Sequence, residues 1–235
     1  MPRLPLIEDL TQGPIPAGSN ILVEYDAVSQ WYNASITITG GWLKTGGRAD
    51  YDAFARAPHD VRVKLRQIGL EPDVLEKEEK LNVTDWYTAT LGQKSNEKHS
   101  HESLRISELS IYFAQTIMRG EAEPDHLYMV DDESTFARFN DERTWVELEL
   151  TRIMPGFRKR MAIGFCAIMK GIHSDWVYKR LEGASDVIID FKTDESGDEV
   201  RNLIRIRVMR DVRFDSRWHP LKIGENLEIT LESDH

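Results

Sequence analysis

The feature that most constrains the fold of this chain is an alternation of short apolar runs with segments of helical periodicity. The run NILVEY (residues 20–25) predicts a buried strand, and apolar residues recur at helical spacing from residue 31 to residue 42. The alternation continues to about residue 185 and requires crossover connections between the strands. We therefore expect an α/β fold with a mostly parallel central sheet, flanked by helices on both faces.

The C-terminal part of the chain has a different pattern. Residues 186–211 predict two strands joined by a turn at Ser196-Gly197, and two further short strands follow them. We therefore expect antiparallel strands at this end of the sheet. The sequence contains neither an internal repeat nor an obvious linker, which predicts one domain over residues 1–235. Residues 1–18, with four prolines and two glycines, are expected to form an extended lead-in with turns.

The charge and the cysteine content of the chain indicate which binding partners and which cellular compartment to expect. The net charge of −10 and the pI near 5.2 make nucleic acid an unexpected partner, because a phosphate backbone needs a positive face. The single cysteine, Cys166, lies in an apolar run and is expected to be a core residue in a reducing compartment. No run reaches the roughly 18 apolar residues of a membrane span. We expect a cytoplasmic protein without a membrane partner.

Three stretches, taken in order, resemble a known family. They are RVKLRQIGLEPDVLEKEEKLNVTDWY at residues 62–87, LEGASDVIIDF at residues 181–191, and IRVMRDVRFDSRWHPLKI at residues 206–223. Together they are similar to the KaiC-like branch of the RecA superfamily, and the resemblance extends from about Gly18 to Ile229. It implies a RecA-like fold of the P-loop NTPase class, whose members assemble head to tail as rings or filaments.

The resemblance places the phosphate-binding loop between the first strand and the first helix. Family members have the pattern GxxxxGK[ST] there. This chain has Tyr25 and Gln30 at the two glycine positions, Trp31 at the lysine position and Tyr32 at the hydroxyl position. A phosphate loop needs glycines so that backbone N–H groups surround the anion, and a lysine to meet its charge. The four positions therefore predict a degenerate Walker A loop, in which Asp26 adds a negative charge.

Other parts of the family's active site are also altered. Ala55 and Arg56 stand about where the resemblance implies acidic residues that activate water. Asp131 and Asp132 end an apolar run, as in a Walker B strand that steadies Mg²⁺ through water. Two interpretations of this pair stay open. It is a possible Walker B remnant, or it has a structural role in which Asp132 or Ser134 caps the next helix.

The family's lysine-methionine-arginine strand reaches the phosphate of a neighbouring subunit. The matching triplet in this chain is Val208-Met209-Arg210, so the lysine is lost and the arginine is kept. The resemblance therefore makes Arg210 a possible subunit-interface residue.

The remaining polar residues of interest are expected to be structural. The segment TGGRAD reads as a turn and the following YDAFA as a strand, with Asp52 on the surface of that strand. His99 and His101 have the i, i+2 spacing of a metal pair in a strand, but no third ligand accompanies them. The sequence therefore predicts no metal site.

Three functions remain open at this point. The first is a non-catalytic pseudo-ATPase without a cofactor, serving as a regulatory or assembly subunit, for example in signal transduction. Its partner would be a second copy or an active KaiC-like relative. The second is a nucleotide-binding ATPase with an unusual loop, which would use ATP and Mg²⁺. The third is a module that binds a peptide or small molecule in the former nucleotide cleft, between Tyr25, Trp31 and Tyr32. The missing glycines and lysine favour a protein that is not an enzyme.

Overall fold

The computed structural model of the chain describes residues 2–109, 121–197 and 199–232. A nine-stranded sheet forms its centre, and the strands are Asn20–Tyr25 (β1), Arg48–Ala53 (β2), Leu81–Asp85 (β3), His126–Val130 (β4), Ile163–Met169 (β5), Val187–Asp194 (β6), Arg201–Met209 (β7), His219–Ile223 (β8) and Ile229–Leu231 (β9). Their order across the sheet is β3-β2-β4-β5-β1-β6-β7-β8-β9.

The direction of the strands follows the change of pattern in the sequence. Neighbouring strands from β3 to β6 in this order are parallel, and β7, β8 and β9 continue the sheet as antiparallel pairs. The turn between β6 and β7 contains Ser196-Gly197, as the sequence predicts. The predicted α/β class, with a mostly parallel sheet and antiparallel C-terminal strands, is confirmed.

Helices connect the parallel strands. Their bounds are Trp31–Lys44 (α1), Pro58–Gln67 (α2), Pro72–Lys77 (α3), Tyr87–Thr90 (α4), Glu133–Ala137 (α5), Glu142–Leu148 (α6), Met154–Arg160 (α7) and Asp175–Ala184 (α8). Several begin for local reasons that the sequence contains. Pro58 and Pro72 are the first residues of α2 and α3, where the missing N–H costs nothing. At α6 the Asp141 carboxylate accepts a hydrogen bond from the Thr144 backbone N–H at 3.0 Å.

A π-helical turn, Glu149–Ile153, joins α6 to α7 so that the three segments form one continuous helical stretch. Such turns insert one extra residue into the helix and change the direction of the side chains that follow. Glu149, the first residue of this turn, follows the buried Val146 and Trp145 by three and four residues, so it shares their interior face and is only 3% exposed.

The core lies on both faces of the sheet. All six residues of β1, near the centre of the sheet, are buried, as expected for a parallel strand that is covered on both sides. On one face Ile38 and Trp42 of α1 pack into the larger cluster of buried apolar residues. On the other face Trp145 of α6 and Phe157 of α7 belong to a second cluster.

The N-terminal lead-in packs against the first of these clusters. Apolar side chains of this segment are buried there, namely those of Leu4, Leu6, Ile7, Leu10 and Ile15. It is less extended than its prolines and glycines predict, because Glu8–Leu10 form a short 3-10 turn. Across the described ranges, no helix has both the length and the apolar character needed to cross a membrane.

Two arginines of β7 are neutralised within the chain. Arg205 Nε lies 2.7 Å from Asp190 Oδ2, and Arg207 lies 2.6 Å from Glu24 Oε1 and 2.8 Å from Glu182 Oε1. Glu24 and Asp190 are at most 5% exposed, so these ion pairs are largely withdrawn from solvent. The charges of these two arginines are thus balanced by carboxylates of the same chain.

Candidate functional site at the carboxyl ends of the strands

The loop between β1 and α1 lies where open parallel sheets place their ligands, beyond the carboxyl ends of the strands. β1 ends at Tyr25, and α1 begins at Trp31 after five loop residues. The loop is tied down by its backbone: Asp26 N donates to Phe191 O at 3.0 Å, and Ser29 N donates to Asp26 O at 2.9 Å. Residues 25–32, all of which the structure describes, have no positive φ angle. The loop backbone therefore lacks the left-handed turns that glycines allow.

The Trp31 side chain fills the space at the start of α1. The residue is 2% exposed, and its indole Nε1 donates a hydrogen bond to the Asp131 backbone carbonyl at 2.7 Å. Its ring lies 6.3 Å from the Tyr25 ring in a stacked arrangement and 5.3 Å from the Phe191 ring. Strands β1 and β6 and helix α1 thus contribute to one buried aromatic group at the position where the resemblance implies a lysine.

Tyr25 and Asp132 form a second contact across the same strand ends. The Tyr25 hydroxyl donates to Asp132 Oδ1 at 2.8 Å, and burial together with the nearby Asp132 charge raises the pKa of Tyr25. The other carboxylate oxygen, Oδ2, accepts from the Thr135 hydroxyl. Asp132 directly precedes α5, but its side chain makes no capping bond to the helix backbone. Ser134 Oγ instead accepts from the Met169 backbone N–H at 2.8 Å. The prediction that Asp132 or Ser134 caps this helix is therefore wrong.

Asp131 holds the backbone that follows β2. Its Oδ1 atom accepts hydrogen bonds from the Phe54 N–H at 2.8 Å and the Ala55 N–H at 3.1 Å. Burial raises the pKa of Asp131 to about 8, and the neighbouring Asp132 and Asp52 carboxyls act in the same direction. Asp131 therefore keeps its proton at neutral pH, and its side chain is engaged by the protein backbone.

A cleft of about 450 Å³ lies beside this group. Its lining includes Tyr25, Trp31 and Tyr32 together with Arg56 and Arg138. The Arg56 guanidinium lies over the Tyr32 ring, 5.8 Å from its centroid. The Tyr32 hydroxyl is buried and has no hydrogen-bond partner among the residues that the structure describes. The cleft thus combines aromatic rings, two cations and an unused hydroxyl.

Asp52 is only partly exposed on its strand. Its Oδ1 atom accepts a hydrogen bond from Trp86 Nε1 at 2.8 Å, and burial raises the pKa of Asp52 to about 7. This partly exposed residue lines a separate pocket between the sheet and the stretch that contains α6 and α7. The predicted strand-surface position is therefore correct only in part, because Trp86 covers one side of the carboxyl.

Arg210 lies far from the loop. Met209, the residue before it, pairs with Val187 at the amino end of β6, whereas Tyr25 pairs with Phe191 further along that strand. Arg210 Nε donates to the Ser185 carbonyl at 3.0 Å, and the residue is exposed. Within one chain, the structure does not bring Arg210 together with the four loop residues.

The two histidines of the 92–103 loop are also placed by structural contacts. His99 accepts a backbone hydrogen bond from Asp85 N at 2.9 Å through its carbonyl. The His101 ring stacks on Trp86, with the ring centroids 4.0 Å apart. Burial lowers the pKa of His101 to about 4.

The depressed pKa of His101 predicts a loss of stability in acid. The unfolded chain takes up a proton near pH 6.5, whereas the folded chain resists it until about pH 4. The stability that this residue contributes is therefore complete above pH 6.5 and falls as the pH drops towards 4. The His101→Phe variant keeps a ring that can stack on Trp86 but has no group that titrates. We expect its melting temperature to fall less between pH 7 and pH 4.5 than that of the unaltered protein. Equal losses in both proteins would contradict this assignment.

Comparisons with known proteins agree with the observed fold. The sequence model described as the KaiC ATPase matches residues 38–234, a segment that begins within α1, after the loop. The structure is similar to that of a KaiC-like protein from the hyperthermophilic archaeon Pyrococcus horikoshii, with a TM-score of 0.71 and 17% sequence identity. This similarity covers 98% of this chain and 96% of the archaeal one. No curated protein matches the sequence. The α/β sheet is thus of the RecA-like type, and the chain belongs to the KaiC ATPase family.

Proposed function

We propose that this member of the KaiC family is a non-catalytic pseudo-ATPase that serves as a regulatory or assembly subunit. The observation that carries the proposal is the position of Trp31. Its indole occupies the start of α1 and is held by Asp131, Tyr25 and Phe191. A β-phosphate in the usual site would need that space, glycine backbone around it and an ammonium group beside it.

The state of the two aspartates supports the same proposal. A Walker B aspartate helps to hold Mg²⁺ as an ionised carboxylate. In this chain Asp131 retains its proton at neutral pH and accepts two backbone hydrogen bonds. Asp132 accepts hydrogen bonds from Tyr25 and Thr135. One oxygen of Asp131 and both oxygens of Asp132 are therefore occupied by contacts within the protein, and we assign the pair a structural role.

The cleft beside the loop supports a second candidate function, the binding of a small molecule or peptide other than nucleotide. Arg56, Arg138 and the unused Tyr32 hydroxyl would provide polar contacts, and the aromatic rings would provide apolar ones. A volume of about 450 Å³ lies within the range of small-molecule sites. Like the pseudo-ATPase proposal, this second function assumes that the phosphate loop no longer binds nucleotide. It differs in that the cleft beside the loop then binds another ligand.

The proposal includes assembly of this chain into an oligomer. A pseudo-ATPase subunit would act through a second copy or an active KaiC-like relative, in the head-to-tail arrangement of such assemblies. The exposed Arg210, at the amino edge of the parallel strands, remains a proposed interface residue. Its Nε donates to the Ser185 carbonyl, and the residue as a whole is exposed.

Nucleotide should leave the thermal stability of the chain unchanged. A ligand present at 100 times its Kd stabilises the folded state by about 2.7 kcal/mol, which corresponds to roughly 5–10 °C in a domain of this size. We expect shifts below about 1 °C with Mg-ATP, Mg-ADP or Mg-GTP at millimolar concentration. An active KaiC-like ATPase, treated in the same way, is the positive control. A reproducible rise of several degrees with any of the three nucleotides would overturn the pseudo-ATPase assignment.

A further inference from the structure

A second group of chemically active side chains lies away from the cleft, in a pocket of about 320 Å³ between the sheet and the α6–α7 stretch. Glu133 of α5, Glu149 of the π-helical turn and Cys166 of β5 meet there. One possible ligand atom from each residue lies within 4.8 Å of those of the other two. All three residues are less than 9% exposed. Three separate elements thus direct a thiol and two carboxyls to one point.

The Glu149 carboxyl lacks a partner outside this group. In the part of the chain that the structure describes, no N–H or O–H group donates to it, and its polar contact is with the Glu133 carboxyl. Glu149 is 3% exposed and lines the pocket. Two buried carboxyls that face each other need a proton or a cation between them, because burial of an uncompensated charge is costly. In this structure protons balance the pair: the Cys166 thiol donates to Glu133 Oε2 at 2.5 Å, and burial beside Glu133 raises the pKa of Glu149. A cation bound at this position would displace those protons.

The cationic side chain that borders the pocket forms its ion pair with a residue outside the group of Glu133, Glu149 and Cys166. Arg160 lines the same pocket, but its guanidinium pairs with Glu123 and lies 5.1 Å from the centroid of the Tyr128 ring. Glu133 is oriented by Trp145, whose Nε1 donates to Oε1 at 3.1 Å. Oriented ligands with a hydrogen-bonded second layer are typical of metal centres.

We infer that Glu133, Glu149 and Cys166 form a binding site for a divalent transition metal, with Zn²⁺ as the best match. A thiolate and two carboxylates are ligands that zinc accepts, and three protein ligands leave a fourth tetrahedral position for water from the pocket. Zinc distances of about 2.0–2.3 Å place ligand atoms roughly 3.5 Å apart, so each side chain has to move by less than about 1 Å. The site is independent of the proposed loss of nucleotide binding.

Cobalt provides the sharpest test, because Cys166 is the only cysteine of the chain. The full chain, freed of metal with a chelator and returned to chelator-free buffer, is titrated with Co²⁺ and then with Zn²⁺. We expect sulfur-to-cobalt charge-transfer absorption that saturates at one Co²⁺ per chain and disappears when Zn²⁺ displaces it. Binding without this absorption would place the ion at surface carboxylates or histidines and would overturn the site.

Two variants test whether zinc binds through Glu149 or through other carboxylates nearby. Glu149→Gln keeps the size of the side chain and removes one ligand charge, and it should weaken Zn²⁺ binding at least tenfold. Glu147→Gln, two residues earlier with its side chain 58% exposed, is the matched control and should bind as the unaltered protein does. Equal affinity in the Glu149→Gln and Glu147→Gln proteins would exclude Glu149 as a ligand. The cobalt spectrum of the unaltered chain tests the site even if a variant fails to fold.

Discussion

Trp31→Ala is expected to lower the free energy of unfolding by about 3–5 kcal/mol, the range measured when large buried aromatic side chains are truncated. The indole is 2% exposed, contacts the Tyr25 and Phe191 rings and donates to the Asp131 carbonyl. Its removal leaves a cavity at the ends of three strands and an unpaired carbonyl. Urea or guanidinium unfolding at equilibrium, followed by circular dichroism, measures the change.

Trp31→Phe separates packing from hydrogen bonding in the same place. Phenylalanine keeps most of the ring but cannot donate to Asp131 O, so we expect a loss of about 1–2 kcal/mol, smaller than that of alanine. A loss below about 1 kcal/mol for Trp31→Ala would show that the indole isn't a packed core residue. That result would remove the main support for a filled phosphate site.

Asp131→Ala is the second substitution with a large expected effect. It leaves the Phe54 and Ala55 backbone N–H groups without their acceptor, and each buried unpaired donor costs about 1–3 kcal/mol. Because the Ala55 bond is only partly buried, we expect a total loss of about 2–4 kcal/mol. Thermal or denaturant unfolding without nucleotide measures it.

Asp131→Asn is the matched control for this site. Burial keeps the Asp131 carboxyl protonated at neutral pH, so an amide of the same shape replaces it with little change in charge. Its side-chain oxygen can still accept from both N–H groups, and we expect a change below about 1 kcal/mol. If both variants were as stable as the unaltered protein, the carboxyl would not hold this backbone. A metal-binding role would then regain support.

The sequence predicts the fold well where a local pattern decides it. The apolar run before Tyr25 and the helical spacing after Trp31 correspond to β1 and α1, and the turn at Ser196-Gly197 joins β6 to β7. Strand β2 is less well predicted. Its first residues, Arg48–Asp50, belong to a segment that reads as a turn. They become a strand because β3 and β4 pair with them on both sides.

The site is predicted only in part, because its contacts join distant segments. The position of Trp31 follows from the resemblance, but its contacts with Asp131 and Phe191 depend on strand order. Glu149 lies on the same helix face as the buried Trp145 and Val146, four and three residues before it. It is not predicted from the sequence as an interior residue, because a lone carboxylate in a helix normally reads as a solvated residue.

Under the proposed loss of ATP hydrolysis, the Trp31 contacts also bear on whether single mutations can restore that activity. A lysine substituted alone at position 31 would lose the indole packing while Tyr25 and Gln30 still exclude the glycine path around a phosphate. Each first step back is therefore destabilising and brings no catalytic gain. Under this proposal the residues at the phosphate-loop positions depend on one another, so no single mutation restores function without a loss of stability. Selection acting on one mutation at a time would therefore keep the protein in its present role.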